Sequence, residues 1–102
     1  MARVALAPDD PEAHRHLGVL HAASGARVAA LNAGRRACEL APDDFQCWCS
    51  LGNVYAMLNQ LADAALCFAE VVKIDVRHAE GWHNLGTAMK QLGQREAAVA
   101  SL

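Results

Sequence analysis

Apolar residues recur along the chain with the spacing of helices that bury one face. Trp48, Leu51 and Tyr55 follow one another at intervals of three and four residues, which places them on one side of a helix. Ala64 and Phe68 share a face of the segment that follows. The pattern predicts a pair of helices packed against each other through these faces.

The pattern repeats with a fixed period. Leu17-Gly18 returns as Leu51-Gly52 and again as Leu85-Gly86, each time 34 residues later. The period divides the chain into an end of a preceding unit (1–10), two full units (11–44 and 45–78) and a partial third unit (79–102). Ala2–Ala7 is then predicted to form the last turns of an earlier second helix.

Local signals place the helix ends. Asp10 and Asp44 are predicted helix caps, because a carboxylate accepts hydrogen bonds from free backbone amides. The first helices are predicted to end near Gly25, Asn59 and Gly93, residue types that tolerate a left-handed backbone. The second helices are predicted over Val28–Leu40 and Leu61–Ile74.

Small residues at equivalent places predict close packing within each pair. Helix axes approach to about 8 Å only where the contacting residues are small. Those residues are glycines on the first helices and alanines on the second: Gly18, Gly52, Gly86, Ala30, Ala64 and Ala98. Trp48 and Trp82 are expected to fill the core that remains.

Length and composition limit the class of protein. At 102 residues with 54% hydrophobic and 20% charged residues, the chain is one folded domain rather than a disordered segment. The net charge is −2 and the Lys and Arg residues are scattered, which argues against nucleic acid as a partner. No apolar stretch approaches the roughly 20 residues of a membrane span. Four cysteines without an export signal predict free thiols in the cytoplasm.

No spacing of reactive residues predicts chemistry. Cys47 and Cys49, two apart on a helix, point in nearly opposite directions and cannot share a metal ion. The histidines lack the four-residue spacing of a helical metal site, and no motif of a catalytic nucleophile or phosphate loop is present. We therefore expect no metal, no cofactor and no enzyme activity.

The sequence Trp48-x-x-Leu51-Gly52-x-x-Tyr55, followed by Ala64-x-x-x-Phe68, resembles the tetratricopeptide repeat (TPR) family, and the 34-residue period is that family's repeat length. The resemblance implies an all-α fold, a right-handed superhelical stack of antiparallel helix pairs. The chain departs from the pattern at His14, His21, Gly34, Val76 and Met89. The first unit is therefore expected to pack less well than the second. At Val76 the second helix of the second unit could alternatively run on into the third unit as one longer helix.

The resemblance also implies a protein–protein interaction module whose first helices line a concave groove for a peptide segment or a partner helix. The matching positions here are Glu12, Arg15, His16, Val19, Gln46, Cys49, Ser50, Asn53, Met57, Glu80, His83, Asn84, Thr87, Lys90 and Gln91.

One subclass of the family does not fit. Members that grip a terminal carboxylate carry Lys, Asn, Asn, Lys and Arg at places held here by Arg15, Val19, Ser50, Glu80 and Asn84. Glu80 would repel a bound carboxylate. Asn53 and Asn84 are instead expected to hydrogen-bond the main chain of a peptide, as in the similar asparagine-lined groove of TPR-bearing glycosyltransferases.

Two alternatives remain open at this point. The chain could be the targeting or substrate-recognition segment of a larger enzyme, glycosyltransferase-like or sulfotransferase-like, with its catalysis encoded elsewhere. Self-association through unfinished repeat ends is the other, because Leu6, Ala98 and Leu102 would be exposed there.

Overall fold

Five helices form the described part of the chain. The computed structural model describes residues 10–100, and the side chains of residues 10–95. The helices are α1 (Pro11–Ala23), α2 (Arg27–Leu40), α3 (Phe45–Met57), α4 (Leu61–Ile74) and α5 (Ala79–Ala100). Residues 10–100 contain no strand, so the predicted all-α class is confirmed.

The helices stack in sequence order. α1 packs against α2 and α3 packs against α4, as the two-helix units require. α3 also contacts α1 and α2, and α5 packs onto α4. No helix among the described residues is long and apolar enough to cross a membrane. Ala2–Ala7, Leu6 and Leu102 lie outside the described residues, as does the side chain of Ala98, so the predictions on them are untested.

The helices that begin each unit are capped at 34-residue intervals. Asp10 Oδ1 accepts from the backbone N–H of Glu12 at 3.0 Å, and Asp44 Oδ1 accepts from that of Gln46 at 2.9 Å. His78 takes the third position, where its Nδ1 accepts from the N–H of Gly81 at 2.8 Å. The two predicted aspartate caps are confirmed, and an imidazole replaces the carboxylate in the third unit.

The first two turns between helices are formed as predicted. Gly25 adopts φ +84° and Asn59 adopts φ +64°, the left-handed conformation that reverses the chain. In both turns the next backbone N–H returns to the preceding helix, from Ala26 to His21 O and from Gln60 to Tyr55 O. The predicted second helices agree with α2 and α4 to within one residue.

Two expectations about helix ends are wrong. α5 continues through Gly93, because one glycine costs a helix only about 1 kcal/mol and its neighbours are strong helix formers. Arg95 Nη2 also donates to Asn59 Oδ1 at 2.7 Å, which holds this end of α5 beside the turn between α3 and α4.

The alternative of one long helix that continues across Val76 is the second wrong expectation. Asp75 Oδ1 accepts from the N–H of Arg77 at 3.1 Å and forms a turn there.

Glycine permits close helix contact in the first two pairs. A Cβ atom on Gly18 would lie 3.3 Å from the carbonyl oxygen of Ala30, and one on Gly52 would lie 2.7 Å from the Phe68 ring. Both contacts confirm the predicted close approach. A Cβ atom on Gly86 would have no described neighbour within 4 Å. The reason is that no described helix follows α5 and packs against it as α2 packs against α1 and α4 against α3.

The two tryptophans occupy equivalent positions but differ in burial. Trp48 Nε1 donates to the carbonyl of Pro42 at 2.8 Å, and Trp82 Nε1 donates to that of Val76 at 2.7 Å. Each bond spans six residues and ties a helix to the loop before it. Trp48 is half-buried against the core, whereas Trp82 is 49% exposed. The expectation that Trp82 fills the core is therefore wrong.

Replacing Gly52 by alanine should destabilise the chain, whereas the same change at Gly86 should stabilise it. At Gly52 the added methyl meets the buried Phe68 ring, and overpacking costs about 1–3 kcal/mol. At Gly86 the methyl meets no atom of the described residues within 4 Å, and alanine gains up to about 1 kcal/mol of helix propensity. Urea unfolding followed by circular dichroism should separate the variants by about 2 kcal/mol. Equal stabilities would contradict the close contact at Gly52.

Candidate functional site

The first helices of the units place most of the predicted groove residues along two neighbouring cavities. The larger cavity, of about 320 Å³, is lined by six of the predicted residues: Arg15, Gln46, Cys49, Ser50, Asn53 and Glu80. The smaller cavity, of about 100 Å³, is lined by four of them: Asn53, Asn84, Thr87 and Gln91. Asn53 lines both, so the two cavities adjoin at this residue.

The larger cavity is polar, and its lining includes side chains of opposite charge. Arg15 comes from α1, and Glu80 lies in the first turn of α5. The Arg15 side chain is only 21% exposed, and its guanidinium lies 3.8 Å from the carboxylate of Glu12. That distance exceeds a hydrogen bond, so the contact with Glu12 is a weak surface ion pair.

Sequence reasoning missed two residues of this cavity, Phe45 and His78. Their rings lie 4.7 Å apart between centroids and are tilted by 56°, a favourable aromatic geometry. Because His78 Nδ1 accepts from Gly81, a neutral His78 ring carries its proton on Nε2. The signal was available, since His78 follows the capping residues Asp10 and Asp44 at the same 34-residue interval.

The smaller cavity combines apolar walls with amide side chains. Its apolar walls are Ala56, Leu61, Phe68 and Ala88, and the last three are at least nine-tenths buried. Asn84 of α5 is half-buried, whereas Asn53, Thr87 and Gln91 are exposed. A side-chain amide offers both a donor and an acceptor, so this cavity can hold an apolar group and hydrogen-bond the chain that carries it.

The remaining predicted groove residues lie outside both cavities. These residues are exposed positions of α1, α3 and α5: Glu12, His16, Val19, Met57, His83 and Lys90. Val19 is 40% exposed and Met57 is 53% exposed, so apolar contact area is available beyond the cavities.

A third cavity, of about 360 Å³, lies on the other face of α3. It is lined by residues of α2, α3 and α4, among them Cys38, Tyr55, Leu66 and Cys67, and by none of the predicted groove residues. At the edge of this cavity, Arg35 Nε donates to the Tyr55 hydroxyl at 3.1 Å. The predicted groove and this cavity are therefore separate surfaces of the molecule.

The four cysteines differ in access to solvent. Cys38, Cys47 and Cys67 are buried, whereas Cys49 is half-buried in the polar cavity. Burial raises the pKa of the Cys38 and Cys67 thiols to about 12, so both are protonated at neutral pH. Burial also raises the pKa of Cys49, and the carboxylate of Glu80 raises it further. No group of His, Cys, Asp or Glu in the described residues could hold a metal ion.

Comparisons with known proteins identify the family and the fold. Two sequence models described as tetratricopeptide repeat match the chain, one at residues 33–65 and one at residues 79–102. The chain belongs to the tetratricopeptide repeat family. Membership of the TPR family supports a protein-interaction module in general terms, and the family is typically a non-catalytic scaffold.

Solved structures show the same fold. A crystal structure of MamA protein aligns with this chain with a TM-score of 0.78 and 25% sequence identity. The alignment covers 95% of this TPR chain and 53% of the MamA chain, so this chain spans about half of that protein's length. No curated protein sequence matches the chain.

Cys49 should be the first cysteine to react with iodoacetamide in the folded chain, because the three other thiols are buried. Glu80→Gln should lower the pKa of Cys49 and speed its alkylation at pH 8, since the thiolate is the nucleophile. Glu70→Gln is the matched control, because Glu70 raises the pKa of Cys67 instead. Mass spectrometry over time measures each site. Faster alkylation of Cys67 than of Cys49 would contradict the burial pattern.

Proposed function

We propose that this chain binds an extended peptide segment of a partner protein in the groove formed by α1, α3 and α5. The observation that carries the proposal is the pair of adjoining cavities with Asn53 between them. A continuous row of sites along successive helices suits a ligand that is itself a chain.

The amide side chains favour an extended segment over a partner helix. An extended peptide presents backbone N–H and C=O groups that need partners, whereas a helix pairs its own. Asn53, Asn84 and Gln91 offer donors and acceptors for those groups along the groove. Val19 and Met57 supply apolar contact at its edges, and Lys90 supplies an exposed charge.

The other expectations remain proposals. The same groove would serve if the chain were the recognition segment of a larger enzyme whose catalysis is encoded elsewhere. A cytoplasmic location agrees with four free thiols, because a reducing compartment keeps thiols unpaired. Self-association also remains a proposal, and Leu6 and Leu102, on which it depends, lie outside the described residues.

Replacing Asn53 and Asn84 together by alanine should weaken peptide binding about tenfold or more. Each lost hydrogen bond costs about 0.5–1.5 kcal/mol, and both side chains reach solvent, so the fold should persist. The probe is a peptide selected on the immobilised chain from a displayed random dodecapeptide library, with its affinity measured by calorimetry.

The matched control is Asn32→Ala, because Asn32 is an exposed amide of α2 that lines neither cavity. Far-UV circular dichroism should be the same for all three proteins. The groove assignment is wrong if the double variant binds the selected peptide as tightly as the Asn32 variant.

A further inference from the structure

The polar cavity presents one positive and one negative side chain to the same space. Arg15 belongs to α1 and Glu80 belongs to α5, and both line this cavity. The α3 residues of its lining, Gln46, Cys49, Ser50 and Asn53, carry amide, thiol and hydroxyl groups. Burial and Glu80 raise the pKa of Cys49, so its thiol is neutral at pH 7. The cavity therefore has separate poles and a neutral middle.

Such a cavity disfavours an occupant with a single charge. A carboxylate paired with Arg15 would be repelled by Glu80, and an ammonium paired with Glu80 would be repelled by Arg15. The weak contact of Arg15 with Glu12, at 3.8 Å, neutralises little of its charge.

A carboxamide side chain matches both poles without a net charge. Its carbonyl oxygen can accept from the Arg15 guanidinium, and its NH₂ group can donate to the Glu80 carboxylate. Hydrogen bonds to charged partners are stronger than those between neutral groups, so both contacts add selectivity. The volume of about 320 Å³ gives room for the long side chain of glutamine.

The adjoining cavity sets a second requirement. It measures about 100 Å³, and its walls include the buried side chains of Leu61, Phe68 and Ala88. A small apolar side chain, such as that of Ala, Val or Pro, suits it. Asn53 stands between the two cavities, where it can hydrogen-bond the backbone that joins the two side chains.

We propose that the groove selects a peptide with a Gln or Asn side chain in the polar cavity between Arg15 and Glu80, and a small apolar side chain in the adjoining cavity. This inference deepens the proposed function and rests on it.

Library selection on charge variants tests the inference. The chain, Arg15→Gln and Glu80→Gln are each immobilised, and the displayed random dodecapeptide library is selected on each. The unmodified chain should enrich Gln or Asn near a small apolar residue. Peptides of the enriched sequence with Gln replaced by Glu or Lys should bind about fivefold more weakly or worse.

The variants should shift the preference in opposite directions. Glu80→Gln leaves Arg15 as the charged wall and should favour Glu at this position, whereas Arg15→Gln should favour Lys. Glu70→Gln, outside both cavities, is the matched control and should keep the preference for an amide. Circular dichroism checks that each variant keeps its helices.

The outcomes separate the two proposals. Selected peptides that need Asn53 but show no amide preference, or a preference that neither variant shifts, overturn the inference and leave the groove as the binding site. Failure to select any peptide whose binding depends on Asn53 and Asn84 overturns the proposed function as well.

Discussion

Close contact at glycines is the constraint on which the stack depends. A Cβ on Gly52 would lie 2.7 Å from the Phe68 ring within a pair, and one on Gly34 would lie 2.7 Å from Leu51 Cδ1 between pairs. Gly81 has the same role between α5 and α4, because a Cβ there would lie 2.8 Å from a methyl of Val71. These contacts keep neighbouring helices close together. The Phe68 ring that Gly52 contacts is also a wall of the smaller cavity, so the same close packing shapes that cavity.

The division of side chains between core and groove follows from the same geometry. The buried set of the described residues is apolar, and no polar or charged residue is buried among them. The large apolar residues Leu51, Tyr55 and Phe68 hold the stack together, and polar residues of α1, α3 and α5 remain for the solvent-facing side. Under the proposed function, a ligand on that side would gain mainly exposed hydrogen bonds and charge contacts, which would fix its sequence and register more than they raise its affinity.

Much of the fold could be predicted from the 34-residue period, because each turn carries its own signal. The sequence correctly predicts helix caps at Asp10 and Asp44 and turns at Gly25 and Asn59. It wrongly predicts a helix end at Gly93, because glycine permits a turn without enforcing one. Arg95 also holds the continued helix to Asn59. The exposure of Trp82 depends on which helix covers α5, and local sequence does not contain that information. For the site, the face of each first helix was predictable. Which of these residues share a cavity was not, because that depends on how the helices stack.

A peptide groove along α1, α3 and α5 should be visible by nuclear magnetic resonance of the ¹⁵N-labelled chain titrated with a peptide selected on it, because side-chain amides report their own contacts. The side-chain NH₂ signals of Asn53 and Asn84 should move, while the backbone signals of Leu66 and Cys67 at the cavity on the other face of α3 should stay in place. Shifts centred on Leu66 and Cys67, with Asn53 and Asn84 unchanged, would contradict it.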